Sequence, residues 1–366
     1  MKLLYVVPNI NNEGGVARVL SIKANYLVEK LGYEVHILTQ NEGFSPLFYS
    51  FNSNIVFHDL LLKGNFFQFF KSFSKGLKSK IKTIQPDIIV VCDNGLKAYA
   101  IPFILKNKVP LILEMHSSKF IEEGEIKKNV FTKLRSNFVF VLKQNGIKKY
   151  DRFVVETSES ISEWKVKNAI VIPNPLWFTS EKFSTLESKK VIAVGRHTYE
   201  KGFDRMLKIW KKVVMKHPDW ILDIYGKSNK NIDLRVLAEN LDISKNVIFY
   251  EPVRNIEEKY LEASFYLMTS RFEGFGMVLI EAMASGLPCI AFDCPCGPRA
   301  IISQKEDGFL IENGNESDYV KAIEVLIENA SLRREMSKKA KLSSEKYNID
   351  EIMQSWNQLF IGIKKS

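Results

Sequence analysis

The sequence predicts an α/β chain built on two doubly wound parallel sheets with a proline-containing linker between them. Three observations carry this. Short β-branched apolar runs bounded by turn residues alternate with helical periodicity, the pattern of buried parallel strands and their crossover helices. The alternation stops within Ile170–Ser188, where VIPNPLWF gives way to the polar FSTLESKK, and then starts again. A chain of 366 residues also exceeds what one ordinary core organises, so two domains are expected.

In the first half, Leu3–Val7, Glu34–Leu38, Ile88–Val91, Leu111–Leu113 and Phe153–Val155 read as strands, with Gly15–Leu31 and Asn94–Leu105 as helices between them. In the second half, Val191–Val194, Ile221–Ile224, Val247–Tyr250, Phe265–Met268 and Cys289–Phe292 read as strands. Phe203–Lys216, Leu234–Asn240, Ile256–Ala263 and Val278–Ser285 read as its helices. A final helix, Asp350–Ile363, is long enough to return across the linker. The expected division is a first domain over 1–172, a linker over 173–188, a second domain over 189–349 and a returning helix over 350–366. Open parallel sheets bind ligands beyond the carboxyl ends of their strands, so the site is expected in a cleft between the domains.

Composition narrows the class. With 46% hydrophobic and 26% charged residues the chain has the balance of a soluble globular protein. No apolar run reaches the roughly 18 residues that span a bilayer. The opening MKLLYVVPNI lacks a basic leader and a small-residue cleavage site and runs into Gly14-Gly15, so it reads as a first strand and a cytoplasmic location is expected. Cys92 and Cys289 lie in apolar runs; Cys294 and Cys296 form a C-x-C with no second pair nearby to complete a tetrahedral site. Neither a metal nor a disulfide is therefore expected. Charge is lopsided: residues 1–178 hold 24 Lys+Arg against 15 Asp+Glu, a net +9 of the formal +10. A one-sided basic excess calls for an anionic partner.

The densest chemistry lies in Glu273-Gly-Phe-Gly-Met-Val-Leu-Ile-Glu281. Glu273 falls on a loop at a strand's carboxyl end and Glu281 near the start of the following helix. Gly274 and Gly276 let backbone approach a ligand closely, and the helix N-terminus offers amides to a phosphate. Carboxylates accept the hydrogen bonds that sugar hydroxyls donate, so a nucleotide-sugar fits. The same acids equally fit a helix whose dipole they favour. In Gly195-Arg-His-Thr-Tyr-Glu-Lys-Gly202, Arg196 offers a fork and Lys201 a point charge to a diphosphate from one strand-to-helix turn. Asn9–Arg18 carries a Gly14-Gly15 pair opening a helix, a close-approach loop that is not a dinucleotide fingerprint. His116 follows the strand Leu111–Leu113 on the side where a ligand is expected.

These segments together resemble the family 4 retaining glycosyltransferases. Ser270–Ile290 is similar to their E-x7-E signature, and Gly195–Gly202 to their GR-x4-KG motif. The resemblance implies a GT-B fold, two Rossmann-like parallel-sheet domains facing a cleft. It places donor-sugar hydroxyls on Glu273, the nucleotide ribose on Glu281, and the distal phosphate or sugar on the amides of Phe275, Gly276, Met277 and Val278. It gives the diphosphate to Arg196 and Lys201. Gly14 and Gly15, with Arg18 as a further candidate, match the family's N-terminal glycine loop, and His116 its EHS-like segment, whose His contacts the donor sugar. Phe292–Ile302 looks like the D-x-P-x-G-P-[RK]-E stretch of members that use UDP-hexoses or their N-acetyl forms, with Ala300 replacing the usual Glu; Arg299 becomes a candidate for phosphate or acceptor. No D-x-D occurs, so no metal clamp and no cofactor beyond the donor substrate are expected.

Lys63–Ile84 sets Phe66, Phe70, Phe73, Leu77 and Ile81 at helical spacing among Lys71, Lys75, Lys78, Lys80 and Lys82. Ile126–Tyr150 repeats the pattern, with Val130, Leu134, Phe138 and Val141 against Lys127, Lys128, Lys133, Arg135 and Lys143. A single such helix reads as a domain helix with its stripe on the core. Two in the basic half predict peripheral attachment to the anionic inner face of the cell membrane. The expected activity is transfer of a hexose or N-acetylhexosamine from a UDP-sugar, or alternatively GDP-mannose, to a saccharide acceptor carried on a lipid, in polysaccharide or glycoconjugate synthesis. No nucleic-acid module accompanies the charge. A sugar-nucleotide epimerase or phosphorylase of the same architecture and a non-catalytic membrane module are the rival readings.

Overall fold

The computed structural model describes residues 1–43, 46–106, 109–118, 130–178, 180, 182–229 and 232–365. They divide into two compact units, each wound around one all-parallel sheet. Unit 1 takes residues 1–118, 130–175 and 349–365, and unit 2 takes the remainder up to 348.

The sheet of unit 1 has seven strands: β1 (Lys2–Val6), β2 (Glu34–Gln40), β3 (Val56–Leu60), β4 (Ile88–Val91), β5 (Leu111–Glu114), β6 (Arg152–Val155) and β7 (Ala169–Val171), ordered 3-2-1-4-5-6-7. Its helices are α1 (Gly15–Glu29), α2 (Phe66–Ile84), α3 (Leu96–Leu105), α4 (Val130–Ile147), α5 (Ser158–Trp164) and, from the far end of the chain, α13 (Ile349–Lys365). Successive strand side chains point to opposite faces. Leu3, Tyr5, Ile37 and Val90 meet Leu20, Ala24 and Leu27 of α1 and Met353, Trp356 and Phe360 of α13. Leu4, Val6, Ile89 and Val91 meet Phe73 and Leu77 of α2, Tyr99 and Ile101 of α3, and Ile147 of α4.

Unit 2 is a six-stranded sheet of β8 (Lys190–Val194), β9 (Ile221–Tyr225), β10 (Val247–Tyr250), β11 (Phe265–Met268), β12 (Cys289–Asp293) and β13 (Gly308–Glu312), ordered 10-9-8-11-12-13. Around it lie α6 (Phe203–Val214), α7 (Leu234–Asn240), α8 (Ile256–Leu261), α9 (Met277–Ala284), α10 (Pro298–Ile301), α11 (Glu316–Glu328) and α12 (Ala330–Ser344). In both sheets the winding reverses direction once, between β1 and β4 and between β8 and β11. Those switch points are where open sheets receive ligands.

The fold class is as expected, and ten strands lie within a residue or two of their predicted ranges. Three more were not foreseen: β3, β7 and β13, all at sheet edges. The stretch read as a linker is shorter than expected, because Leu176 and Leu186 are buried in the core of unit 2. In α2 only part of the expected stripe turns inward: Phe73 and Leu77 are fully buried, with Phe69 and Ile81 at the border. In α4, Phe138 and Val141 point outward instead. Lys127 and Lys128, and the side chains of Phe66, Val130, Lys133 and Leu134, lie outside the described residues.

Candidate functional site

In unit 2 the chain leaves β8 through Gly195 and Arg196 and makes a single 3-10 turn, Tyr199–Lys201, before α6. Gly202, at φ +67, joins turn to helix where a Cβ would sit 2.1 Å from the Thr269 carbonyl oxygen. Only glycine combines that left-handed backbone with that approach. Thr269 in turn donates to the Gly202 carbonyl at 2.9 Å. Arg271 completes the weld between the β8 and β11 loops. Its backbone amide donates to Glu200 O at 2.7 Å, and its guanidinium donates to Tyr199 O at 2.7 Å and forks onto Asp204 at 2.8 and 2.7 Å.

This weld brings Lys201 onto Glu273. The ammonium donates to both carboxylate oxygens, at 2.7 and 2.9 Å, and Ser270 donates to the first at 2.6 Å. Glu273 is buried, and the Lys201 side chain is about a fifth exposed. Beyond Glu273, Gly274 and Phe275 lead to Gly276, whose φ of +98 starts α9 with no side chain capping the first-turn amides of Met277 and Val278. Uncapped amides at a helix start attract an anion. Gly297 lies against this loop, where a Cβ would be 2.1 Å from the Phe275 carbonyl oxygen.

The other expected donor residues are engaged differently. Glu281, on α9, is buried and accepts from Trp177 Nε1 and Tyr260 OH, each at 3.0 Å. Arg196 is more than half exposed and pairs with Glu200 at 3.4 Å, a surface contact of little strength. Arg299 forks onto Asp293. Cys294 and Cys296 are buried free thiols, and burial with Glu273 nearby holds Cys294 well above the usual thiol range.

Sequence reading missed a pocket of about 260 Å³ beside this loop. His197, Gly226, Asp233, Arg235, Phe249 and Glu251 line it. His197 lies edge-on to Phe203 and Phe249, and burial lowers its pKa, so the ring is neutral near pH 7. The loops after β9 and β10 supply most of the wall and carry no motif. The available signal was aromatic: Tyr225 and Tyr250, at the ends of those strands, stack at 4.5 Å.

In unit 1 the loop after β1 is folded by its own side chains. Asn12 accepts from Gly14 N at 2.8 Å, and Glu42 accepts from Ile10 N at 2.7 Å. A Cβ on Gly14 would be 2.6 Å from Asn12 Oδ1, whereas Gly15 faces open space. Arg18 lies over the Tyr49 ring at 4.4 Å.

His116 stands at the end of a buried polar chain. Its Nδ1 is 2.9 Å from Glu156 and its Nε2 3.4 Å from Glu114. Glu156 also accepts from Asn174, and Glu114 pairs with Lys23 of α1 and accepts from the Cys92 thiol at 3.3 Å. The Lys23 ammonium rests 3.5 Å from the centre of the Trp356 ring. Burial alone would neutralise these groups. Burial pulls the His116 pKa down, but Glu114 and Glu156 outweigh it and the net shift is upward. Burial likewise pushes Glu114 up, and Lys23 and His116 hold it below the usual carboxylate range. The two carboxylates thus favour the imidazolium form of His116 against the burial that disfavours it. Cys92, Glu114 and His116 are the group among the described residues whose donor atoms converge enough to hold a metal. Lys23 already neutralises the carboxylate, and burial keeps the thiol protonated, so the set fits an ion-pair network better than a cation.

Residues 13–201 match the family described as Glycosyltransferase Family 4, and residues 178–343 match Glycosyl transferases group 1. An uncharacterized glycosyltransferase of Haemophilus influenzae is 32% identical over 97% of this chain and 98% of its own length. The amylovoran biosynthesis glycosyltransferase AmsD of Erwinia amylovora is 29% identical over 98% and 99%. Among solved structures, sucrose-phosphate synthase from Thermosynechococcus elongatus superposes with a TM-score of 0.83 over 99% of both chains, at 16% identity. HepE of Anabaena, solved with UDP, gives 0.76 over 99% of this chain and 100% of its own, also at 16% identity.

Proposed function

The chain belongs to glycosyltransferase family 4, and from that premise we propose that it is a retaining, metal-independent transferase acting on a UDP-sugar. It is a GT-B glycosyltransferase of polysaccharide or glycoconjugate synthesis. The observation that carries the donor reading is the Lys201–Glu273–Ser270 cluster at the switch point of the unit 2 sheet. A lysine held beside a buried carboxylate and an uncapped helix start provides a cation and amides for a diphosphate, and an acceptor for sugar hydroxyls, within one loop.

In this reading unit 2 takes the donor. Glu273 holds sugar hydroxyls, Glu281 the ribose, and the amides of Phe275–Val278 the distal phosphate. The pocket formed by His197, Gly226 and Phe249 takes the base. Arg196 and Lys201 stabilise charge on the departing diphosphate, the term that most lowers such barriers. The bond from C1 to the diphosphate oxygen breaks while the acceptor oxygen bonds to C1 from the same face, and the acceptor's proton passes to the leaving oxygen. The family resemblance assigns Gly14, Gly15 and His116 to the donor as well, with Arg18 and Arg299 as auxiliary cations. The acceptor is a lipid-linked saccharide at the inner face of the cell membrane, a reading motivated by the basic excess of the first half.

The test is binding and turnover against a panel of UDP- and GDP-sugars, with and without saccharide acceptors. A UDP-sugar binds without added metal, and sugar moves only when acceptor is present. Conversion of the donor in the absence of acceptor would favour an epimerase, and GDP-mannose binding above all UDP-sugars would overturn the donor assignment.

A further inference from the structure

We propose that unit 1 docks on an anionic lipid surface through the outer face of its α2–α3–α4 layer. These helices lie on one side of the sheet, α2 against α3 and α3 against α4. The exposed or half-exposed cations among their described side chains are Lys71, Lys75, Lys78, Lys80, Lys82 and Arg135, and the three helices contain no Asp or Glu; Lys143 is buried and Lys97 pairs with the buried Asp93 at 3.4 Å. A solvated helix layer normally mixes both signs, because like charges on adjacent turns repel. Along α2, five lysines with no acid on the same helix repel one another, and a negative surface relieves that repulsion.

The apolar side chains on the outside are the second observation. The inward stripes are already satisfied by the core, through Phe73 and Leu77 of α2, Ile101 of α3 and Ile147 of α4. Yet Phe67 is 81% exposed, Phe138 64%, Phe103 56%, Val141 50% and Leu142 47%. On α2, Phe67, Phe70, Lys71, Ser74, Lys75 and Lys78 line one open groove, the spacing of a single helical stripe. On α4, Phe138, Val141 and Leu142 form a matching ridge beside Arg135.

Apolar wedges set among lysines, on helices that lie flat on a sheet, are what an interface of headgroups and acyl chains accepts. Aromatic rings and lysines could also take single-stranded nucleic acid, but Val141 and Leu142 offer no plane for a base to stack on. A protein partner would have to be acidic along α2 and at Arg135 of α4 and apolar at several separate points. The lipid surface meets both demands without a shaped counterpart.

Full-length protein is sedimented with phosphatidylcholine vesicles, with and without phosphatidylglycerol. It should follow only the anionic vesicles, and added salt should release it. Lys71→Ala, Lys75→Ala and Lys78→Ala should each lower partition about fivefold, and together about a hundredfold. Phe67→Ser with Phe138→Ser should lower it further. All variants should keep the wild-type melting temperature and donor affinity. No vesicle binding, binding to neutral vesicles alone, insensitivity to salt, or an unchanged triple-lysine variant overturns the proposal. So does tighter binding of the same lysines to single-stranded RNA, or self-association through the same phenylalanines. Loss of donor binding is a separate outcome and bears on the transferase reading alone.

Discussion

In the proposed function, much of the donor chemistry rests on single side chains, Lys201 first among them. Its ammonium donates to both oxygens of Glu273, and Ser270 adds a third bond to the same carboxylate. Glu273→Ala frees the lysine and, on the proposed function, removes the group that accepts from the sugar hydroxyls. Transfer (kcat/KM) is expected to fall at least about a hundredfold, with the fold retained by circular dichroism; near-wild-type transfer would remove Glu273 from the site. His116 gives a prediction of a different kind. Its pKa is raised by Glu114 and Glu156, so its charge persists to higher pH than in a free imidazole and is lost as pH rises through the shifted value, above the ordinary ~6.5. With the imidazolium as the active form, kcat/KM declines on the alkaline side. Glu156→Gln withdraws one of the two carboxylates that hold the proton, so the decline should begin at lower pH. A uniform drop with an unmoved profile would make Glu156 merely structural.

At the scale of elements, the donor loop depends on glycines that let strands and loops touch. A methyl on Gly297 would collide with the Phe275 carbonyl, at a φ of +89 that side chains avoid. Gly297→Ala is expected to cost about 2 kcal/mol or more and to raise KM for donor before it lowers kcat, read by thermal melting and initial rates. An unchanged melt and KM would show that the loop accommodates the methyl. The same scale explains what the sequence could reveal. Interior strands such as Ile88–Val91 and Phe265–Met268 are apolar on both faces and were legible almost to the residue. β3 (VFHDL) and β7 (AIV) are edge strands, half exposed and polar or very short, so neither pattern nor length marked them. Dense motifs flagged Glu273, Lys201 and His116. Glu156, Lys23 and Arg271 went unseen because each gains its meaning from a partner far along the chain, respectively His116, Glu114 and Asp204.

For the whole molecule, the last helix matters more than its terminal position suggests. Ile352, Met353, Trp356 and Phe360 are buried in the core of unit 1, and Lys364 pairs with Asp87 at 3.0 Å. Trp356 also carries the Lys23 ammonium on its face. Trp356→Ala should therefore cost about 3–5 kcal/mol by cavity formation and by the loss of that cation contact. The loss should appear as a lower-temperature melt of unit 1, with unit 2 unaffected if the two melt separately. Equal lowering of both transitions would mean the units unfold as one.

Because α13 is a core element of unit 1, the order of synthesis and the order of completion are reversed. The described residues of unit 2 all lie between Leu176 and Asn348, so they are complete once Asn348 has left the ribosome. Unit 1, begun first, waits with one face of its sheet covered by α1 alone until the residues of α13 arrive. Throughout elongation the nascent protein carries a partly exposed apolar face, and with it the hazard of premature association. Chains stalled just short of Ile349 should show a protease-resistant second unit beside a digestible first one.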